Sequence, residues 1–240
     1  MSVLRSLFFT LLFLLSICPL LPSLSLAQSG AVAEAKDWSC GKSLPVAEVK
    51  TLVSRVSSAY REVDSLSALF TQKSTLAGFE MEGSSEGKVL FKKPGKMRWI
   101  YLTPEPQEFV SDGNTLWYYQ PDFQQVTLSA FSKSFQSDLP VSFLLGVGEL
   151  ESAFSPVAAC KAGELMLIEL VPLEAAGEME RFWLKVDPRT YLPRAAKTID
   201  IGGSETVINL NKIEMNKSLA EEEFVFQIPK GVDVIDRRAE

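Results

Sequence analysis

The chain has 240 residues, of which 46% are hydrophobic and 22% charged, the composition of a globular protein. Acidic residues outnumber basic ones by 30 to 24, a net charge of −6 that argues against nucleic acid as a partner, because backbone binding needs a clustered basic surface. Histidine is absent, which removes His-based triads, Cys–His pairs and His-containing zinc sites.

Residues 1–27 read as a signal peptide. Arg5 precedes the apolar run Leu7–Leu15, and Ser25-Leu26-Ala27 has the small-x-small form of a cleavage site. Export and cleavage after Ala27 are expected, leaving one soluble domain over 28–240. No later apolar run is long enough to span a membrane. Cys18 follows Ile17, whereas a lipidation site needs a small residue there. Cleavage removes Cys18 and leaves Cys40 and Cys160 in an oxidising compartment. An even pair there reads as a structural disulfide; two buried free thiols are the alternative.

Gln28–Lys42 is an extended lead. A helix follows, with Ser43 placed to cap it and Pro45 suited to its first turn. Val46, Val49, Leu52, Val53, Val56 and Tyr60 recur at spacings of three and four, which predicts one amphipathic helix packed on a sheet.

Ser67–Ser74 starts that sheet. Val89–Val126 then reads as five short strands, punctuated by Pro94-Gly95, Thr103-Pro104-Glu105-Pro106, Asp112-Gly113-Asn114 and Pro121-Asp122. Turn residues at this spacing predict an antiparallel meander. Strand alternation puts Val89, Phe91 and Lys93 on one face, and places Met97, Trp99 and Tyr101 together. The basic run Lys88, Lys92, Lys93, Lys96 and Arg98 is expected to be a solvated face, and so is the acidic run Glu221–Glu223.

Asp138–Leu150 has helical length but is apolar nearly all round, with Phe143, Leu144 and Val147 among its residues. It also carries Gly146 and Gly148, each destabilising a helix by about 1 kcal/mol relative to Ala. Such a segment is either deep core or a movable cover over an apolar site. Strands resume at Leu165–Val171, Arg181–Val186, Arg194–Ile201 and Glu205–Met215, and Phe224–Val232 is a last edge segment. The expected fold is mainly β with α: a large, strongly curved antiparallel sheet of ten or eleven strands with helices over its concave face. There is no Gly-flanked Ser elbow, P-loop or dinucleotide fingerprint. Neither an enzyme nor a metal or other cofactor is expected.

Several of these stretches closely resemble the periplasmic outer-membrane lipoprotein carrier family, LolA. They are Phe70-Thr71-Gln72, the run Gly87–Trp99, Pro104 with Pro106, the run Val110–Tyr119, and Phe224, Phe226, Pro229, Gly231 and Val232. The pair Lys93-Pro94-Gly95-x-x-Arg98-Trp99 and Ser111-Asp112-Gly113-x-x-Leu116-Trp117, in this order and spacing, is the specific part. The resemblance implies an unclosed, eleven-stranded half β-barrel with a helical lid. It also implies a monomeric chaperone that accepts lipoprotein acyl chains from an inner-membrane ABC exporter and delivers them to an outer-membrane receptor. The expected acyl-chain cavity is Val89, Phe91, Met97, Trp99 and Tyr101 from the sheet, with Phe143, Leu144 and Val147 from the covering helix.

In the best-known members an arginine stands where this chain has Lys93, and that arginine resembles a latch on backbone carbonyls of the lid. Lys93 is either a weaker latch or a side chain that snorkels to solvent. An outer-membrane-anchored receptor or an envelope-stress sensor with the same half-barrel is the alternative function.

Overall fold

The computed structural model describes residues 38–78, 82–131, 150–173 and 179–239. They all belong to one compact unit, Ala35–Glu240. The first apolar stripe forms α1, Val46–Arg61, which buries Val49, Leu52, Val53, Val56 and Tyr60. The helix begins at Val46, so the capping position falls on Pro45, which has no side-chain acceptor. Ser43 therefore does not cap. Its hydroxyl lies 3.3 Å from both the carbonyl oxygen and the amide nitrogen of Ala159. The neighbouring Leu44 N–H donates to the same carbonyl at 2.7 Å.

The strands are β1 (Ser65–Thr75), β2 (Glu82–Lys92), β3 (Lys96–Thr103), β4 (Gln107–Asp112), β5 (Thr115–Gln120) and β6 (Gln125–Ala130). After a short helix α2 (Leu150–Ala153) come β7 (Phe154–Ala162), β8 (Leu165–Pro172), β9 (Met179–Val186), β10 (Pro193–Asp200), β11 (Glu205–Met215) and β12 (Asp233–Asp236). All twelve form one sheet, in the order β12-β6-β5-β4-β3-β2-β1-β11-β10-β9-β8-β7. Neighbours are antiparallel except β12, which runs parallel to β6. The expected meander is β2 to β6. The sheet does not close into a barrel, since β12 and β7 stand at its two ends.

Two of the twelve strands were not expected. β7 contains Pro156, a register shift beside it and a run of alanines, all weak strand signals. β12 is only four residues long. The segment Phe224–Val232, expected as an edge strand, is not one; it follows a 3-10 turn at Glu221–Phe224.

The face towards α1 holds two cores. In one, α1 packs through Leu52, Val53 and Val56 on Ile168, Leu170, Phe182 and Leu184 of β8 and β9. In the other, Phe70, Val89, Phe91, Met97, Trp99 and Leu210 meet across β1, β2, β3 and β11. Leu192 packs against both. Gly87 positions the second core. It lies at a register shift between β2 and β3, where a Cβ would sit 1.9 Å from the Ile100 carbonyl oxygen and 2.8 Å from the Phe70 ring. Only glycine lets the strands and that ring come so close.

The opposite face is covered too, by the two ends of the described chain. Val89, Leu90 and Phe91 are buried in succession, which a strand achieves only when both faces are covered. The C-terminal segment lies against β3 and β4. Lys92 donates to the Leu219 carbonyl at 2.9 Å and to Glu221, Lys96 pairs with Glu221, and Arg98 reaches the Glu223 carbonyl at 3.1 Å. Phe224 is buried, and the Phe226 ring lies tilted beside Trp117 and Tyr119. The basic run is thus not simply a solvated face. Lys92, Lys96 and Arg98 clamp the acidic segment, and Lys88 stays exposed.

At the other end of the sheet, Cys40 and Cys160 form a disulfide with a Cα–Cα distance of 5.6 Å. It holds the N-terminal arm on Leu167 and Trp183, which point away from α1. The buried Lys185 places its ammonium 4.2 Å from the centre of the Trp38 ring.

Candidate functional site

Between α1 and the sheet lies a small apolar cavity of about 10 Å³. Its walls include Tyr60 from α1, Leu66 from β1, Phe91 from β2, Trp99 from β3, Leu192 and Leu210. The strands place these groups by register: Val89 faces Trp99, and Phe91 faces Met97, across the β2–β3 pair. Val89, Phe91, Met97 and Trp99 are all buried, and Tyr101 is half-buried beside them.

Aromatic rings continue across the sheet. Phe91 and Phe70 lie 6.2 and 4.9 Å from Trp99. Tyr101 is 5.1 Å from Phe70 and 6.4 Å from Phe109, which stacks on Tyr118 at 4.3 Å. The polar ends of this row are satisfied at its margin: the Tyr101 hydroxyl donates to Gln72 at 3.0 Å and the Tyr118 hydroxyl to Gln107 at 2.6 Å. Burial pushes the Tyr60 and Tyr118 hydroxyls above the ordinary tyrosine range, so both stay neutral. The Trp99 indole N–H is buried and finds no hydrogen-bond acceptor among the described residues.

The structure brings Val89, Phe91, Met97, Trp99 and Tyr101 together in one packed cluster, and of these Phe91 and Trp99 line the cavity. The partners expected from the covering helix, Phe143, Leu144 and Val147, lie outside the described residues. Sequence reading missed Tyr60, Phe70, Leu192 and Leu210 as neighbours of Trp99. The alternation Ala68, Phe70, Gln72 carries the signal for Phe70. The spacing of Tyr60 marks it only for helix packing, and Leu192 lies in a turn, where no periodicity marks it.

Lys93 sits where β2 ends. Its backbone N–H donates to the Asp64 carbonyl at 2.9 Å. Its ammonium donates to the carbonyls of Tyr60 and Arg61 at 3.2 and 2.8 Å. These are the last carbonyls of α1, at the negative end of the helix dipole, and that of Tyr60 also accepts from the Val63 N–H at 3.2 Å.

Among the described residues, no three His, Cys, Asp or Glu side chains group in a way that could hold a metal ion. Among the same residues, no helix is long and apolar enough to cross a membrane.

The family model for the outer membrane lipoprotein carrier protein LolA matches residues 61–227. The chain belongs to the LolA family. An outer-membrane lipoprotein carrier protein from Alkalilimnicola ehrlichii is 34% identical over 178 residues, covering 74% of this chain and 80% of the relative. One from Chromobacterium violaceum is 31% identical over 217 residues, covering 90% of this chain and 98% of the relative. Among solved structures, an uncharacterized conserved protein from Thermus thermophilus superposes with a TM-score of 0.52 at 15% identity, over 79% of this chain and 99% of that one. At that identity the likeness speaks to the fold alone. The LolA family match spans α1's last residue, the cavity-forming strands and the clamped segment at Glu221, so the whole candidate site lies inside it apart from the remainder of α1.

Proposed function

We propose that this chain is a periplasmic carrier of lipoproteins. In this reading the leader 1–27 is removed on export. The mature domain takes up acyl chains as they leave an inner-membrane ABC exporter and hands them to an outer-membrane receptor, with no chemical step. The observation that carries the reading is the small apolar cavity between α1 and the aromatic face of β1–β3, in a chain of the lipoprotein-carrier family.

The closed geometry bears on the energetics. A volume of about 10 Å³ is near the least that can hold one water, so an acyl chain enters only when α1 and the sheet separate. Each CH₂ then buried contributes about 0.8 kcal/mol. Separation costs the packing of Leu192 on the Phe91 and Trp99 cluster, the apposition of Tyr60 across the cavity, and the two hydrogen bonds from Lys93. Net affinity is the difference between the two. The empty protein regains those contacts when cargo leaves, so release is partly compensated and need not be driven wholly by the receptor.

The test is uptake of a diacylated lipoprotein from proteoliposomes containing the exporter. A soluble one-to-one complex in native mass spectrometry is expected. Lipoprotein that stays entirely in the vesicles in the presence of the folded protein would overturn the proposal.

A further inference from the structure

Besides the Tyr60 hydroxyl, the cavity wall carries a polar group that apolar storage does not need. Trp99 is 4% exposed, forms a wall of the cavity, and its indole N–H has no acceptor among the described residues. Indole is a donor only, so it can be satisfied only by an acceptor brought to it. Among its walls, Leu66, Leu192, Leu210 and Ile213 offer no side-chain acceptor, and the Tyr60 hydroxyl does not accept from the indole. The hydroxyls nearby on the same aromatic face behave differently: that of Tyr101 donates to Gln72. A buried donor left unpaired is destabilising, and native proteins leave few of them. Phenylalanine would supply nearly the same apolar area without that penalty, as Phe70 and Phe91 do on either side.

We infer that the Trp99 N–H is a hydrogen-bond site for the carbonyl at the head of a bound acyl chain, ester or amide. The inference rests on the acyl-carrier reading above. A hydrocarbon chain alone can slide in an apolar cavity, because its contacts are non-directional. One fixed donor sets where the chain's polar end stops, and so how deep the chain lies. Trp99 then discriminates acyl chains from alkyl chains of equal length.

The test uses the mature protein with four probes of one chain length: a diacylglycerol (ester), an N-acyl amide, a dialkylglycerol (ether) and an N-alkyl amine. Wild type is expected to bind each carbonyl-bearing probe about tenfold more tightly than its carbonyl-free counterpart, since the alternative leaves the donor buried and unpaired. Trp99→Phe is expected to bind the members of each pair equally. A second readout needs no variant fold: the wild-type indole resonance of Trp99, assigned by its loss in Trp99→Phe or by selective labelling, moves downfield with ester or amide and stays with ether. Preference for one carbonyl type alone identifies which linkage the site takes and supports the inference. Wild-type binding that ignores the carbonyl, or an unmoved indole resonance with the ester bound, overturns this inference and leaves the carrier reading intact. No binding of any probe by the folded protein removes the carrier reading, and the inference with it.

Discussion

The Lys93 ammonium donates to the backbone carbonyl of Tyr60 at 3.2 Å, and the side chain of that same Tyr60 is a wall of the cavity. One residue of α1 therefore joins a polar tether to an apolar seal. The second bond, to Arg61, finishes the helix. In the proposed carrier cycle, removing the tether biases opening without touching the apolar walls of the cavity.

Lys93→Leu is expected to hold cargo longer. The closed, empty state loses two charge-assisted bonds at a half-buried position, roughly 1.4 kcal/mol after solvent screening, or about tenfold in retention. Lys93→Arg should restore the tether, with its five donors in a rigid fork, and leave transfer working. Transfer of a loaded lipoprotein to the receptor in vitro measures both. Normal release by Lys93→Leu would show that apolar packing alone sets the closed state.

Gly87→Ala should destabilise the fold by about 3 kcal/mol, near the upper end for overpacking. Its Cβ would meet the Ile100 carbonyl, a backbone atom that cannot rotate away, as well as the Phe70 ring. Thermal unfolding reads the loss. An unchanged midpoint would mean that β2 and β3 move apart freely, and that the tight approach does not hold Phe70 over Trp99.

Glu221 links pH to the C-terminal clamp. Hydrogen bonds from Lys92 and then Lys96 pull its carboxyl from an ordinary value of 4.5 down to about 2. A depressed folded value means the clamp contributes fully above the ordinary value and loses its contribution as pH falls through about 2. Fluorescence of Trp117, which lies 6.4 Å from Phe226, should report loosening of the segment across that window. Glu221→Gln should flatten the change. If the variant keeps the wild-type profile, other carboxylates control the segment.

The disulfide closes a loop spanning 120 positions in the sequence. Replacing both Cys40 and Cys160 by serine should destabilise the protein by about 2–5 kcal/mol, chiefly by freeing the unfolded chain. Amide exchange should rise first in β7 and β8, where the arm is attached. Uniform exchange across the sheet would point instead to global weakening.

Much of this was legible in the sequence because the meander is simple. Alternation alone grouped Val89 with Phe91 and Met97 with Trp99, since each strand there is bounded by Pro or Gly turns, and the β2–β3 register joins the two groups on one buried face. The pairing of Lys92 and Lys96 with Glu221 was not legible. The partners are more than a hundred positions apart, and each run, read alone, has the pattern of a solvated surface. β7 was hidden for a related reason: it is held by pairing with β8 and by hydrogen bonds from Ser43 and Leu44, not by its own strand propensity. Gly87 shows its constraint only when Ile100 and Phe70 are brought to it.

An open sheet ends in two rows of backbone groups that could recruit other chains, and this protein shields both. β12 is four residues long and bounded by Asp233 and Asp236, so a neighbouring molecule meets a short, acidic strip. β7 is interrupted at Pro156 by a register shift, and Ser43 and Leu44 occupy its Ala159 amide and carbonyl. Closing the sheet into a barrel would also have removed its edges, but would have fixed its circumference. In the proposed carrier, shielded edges would let the sheet widen around a guest of variable bulk while keeping the protein a poor template for self-assembly.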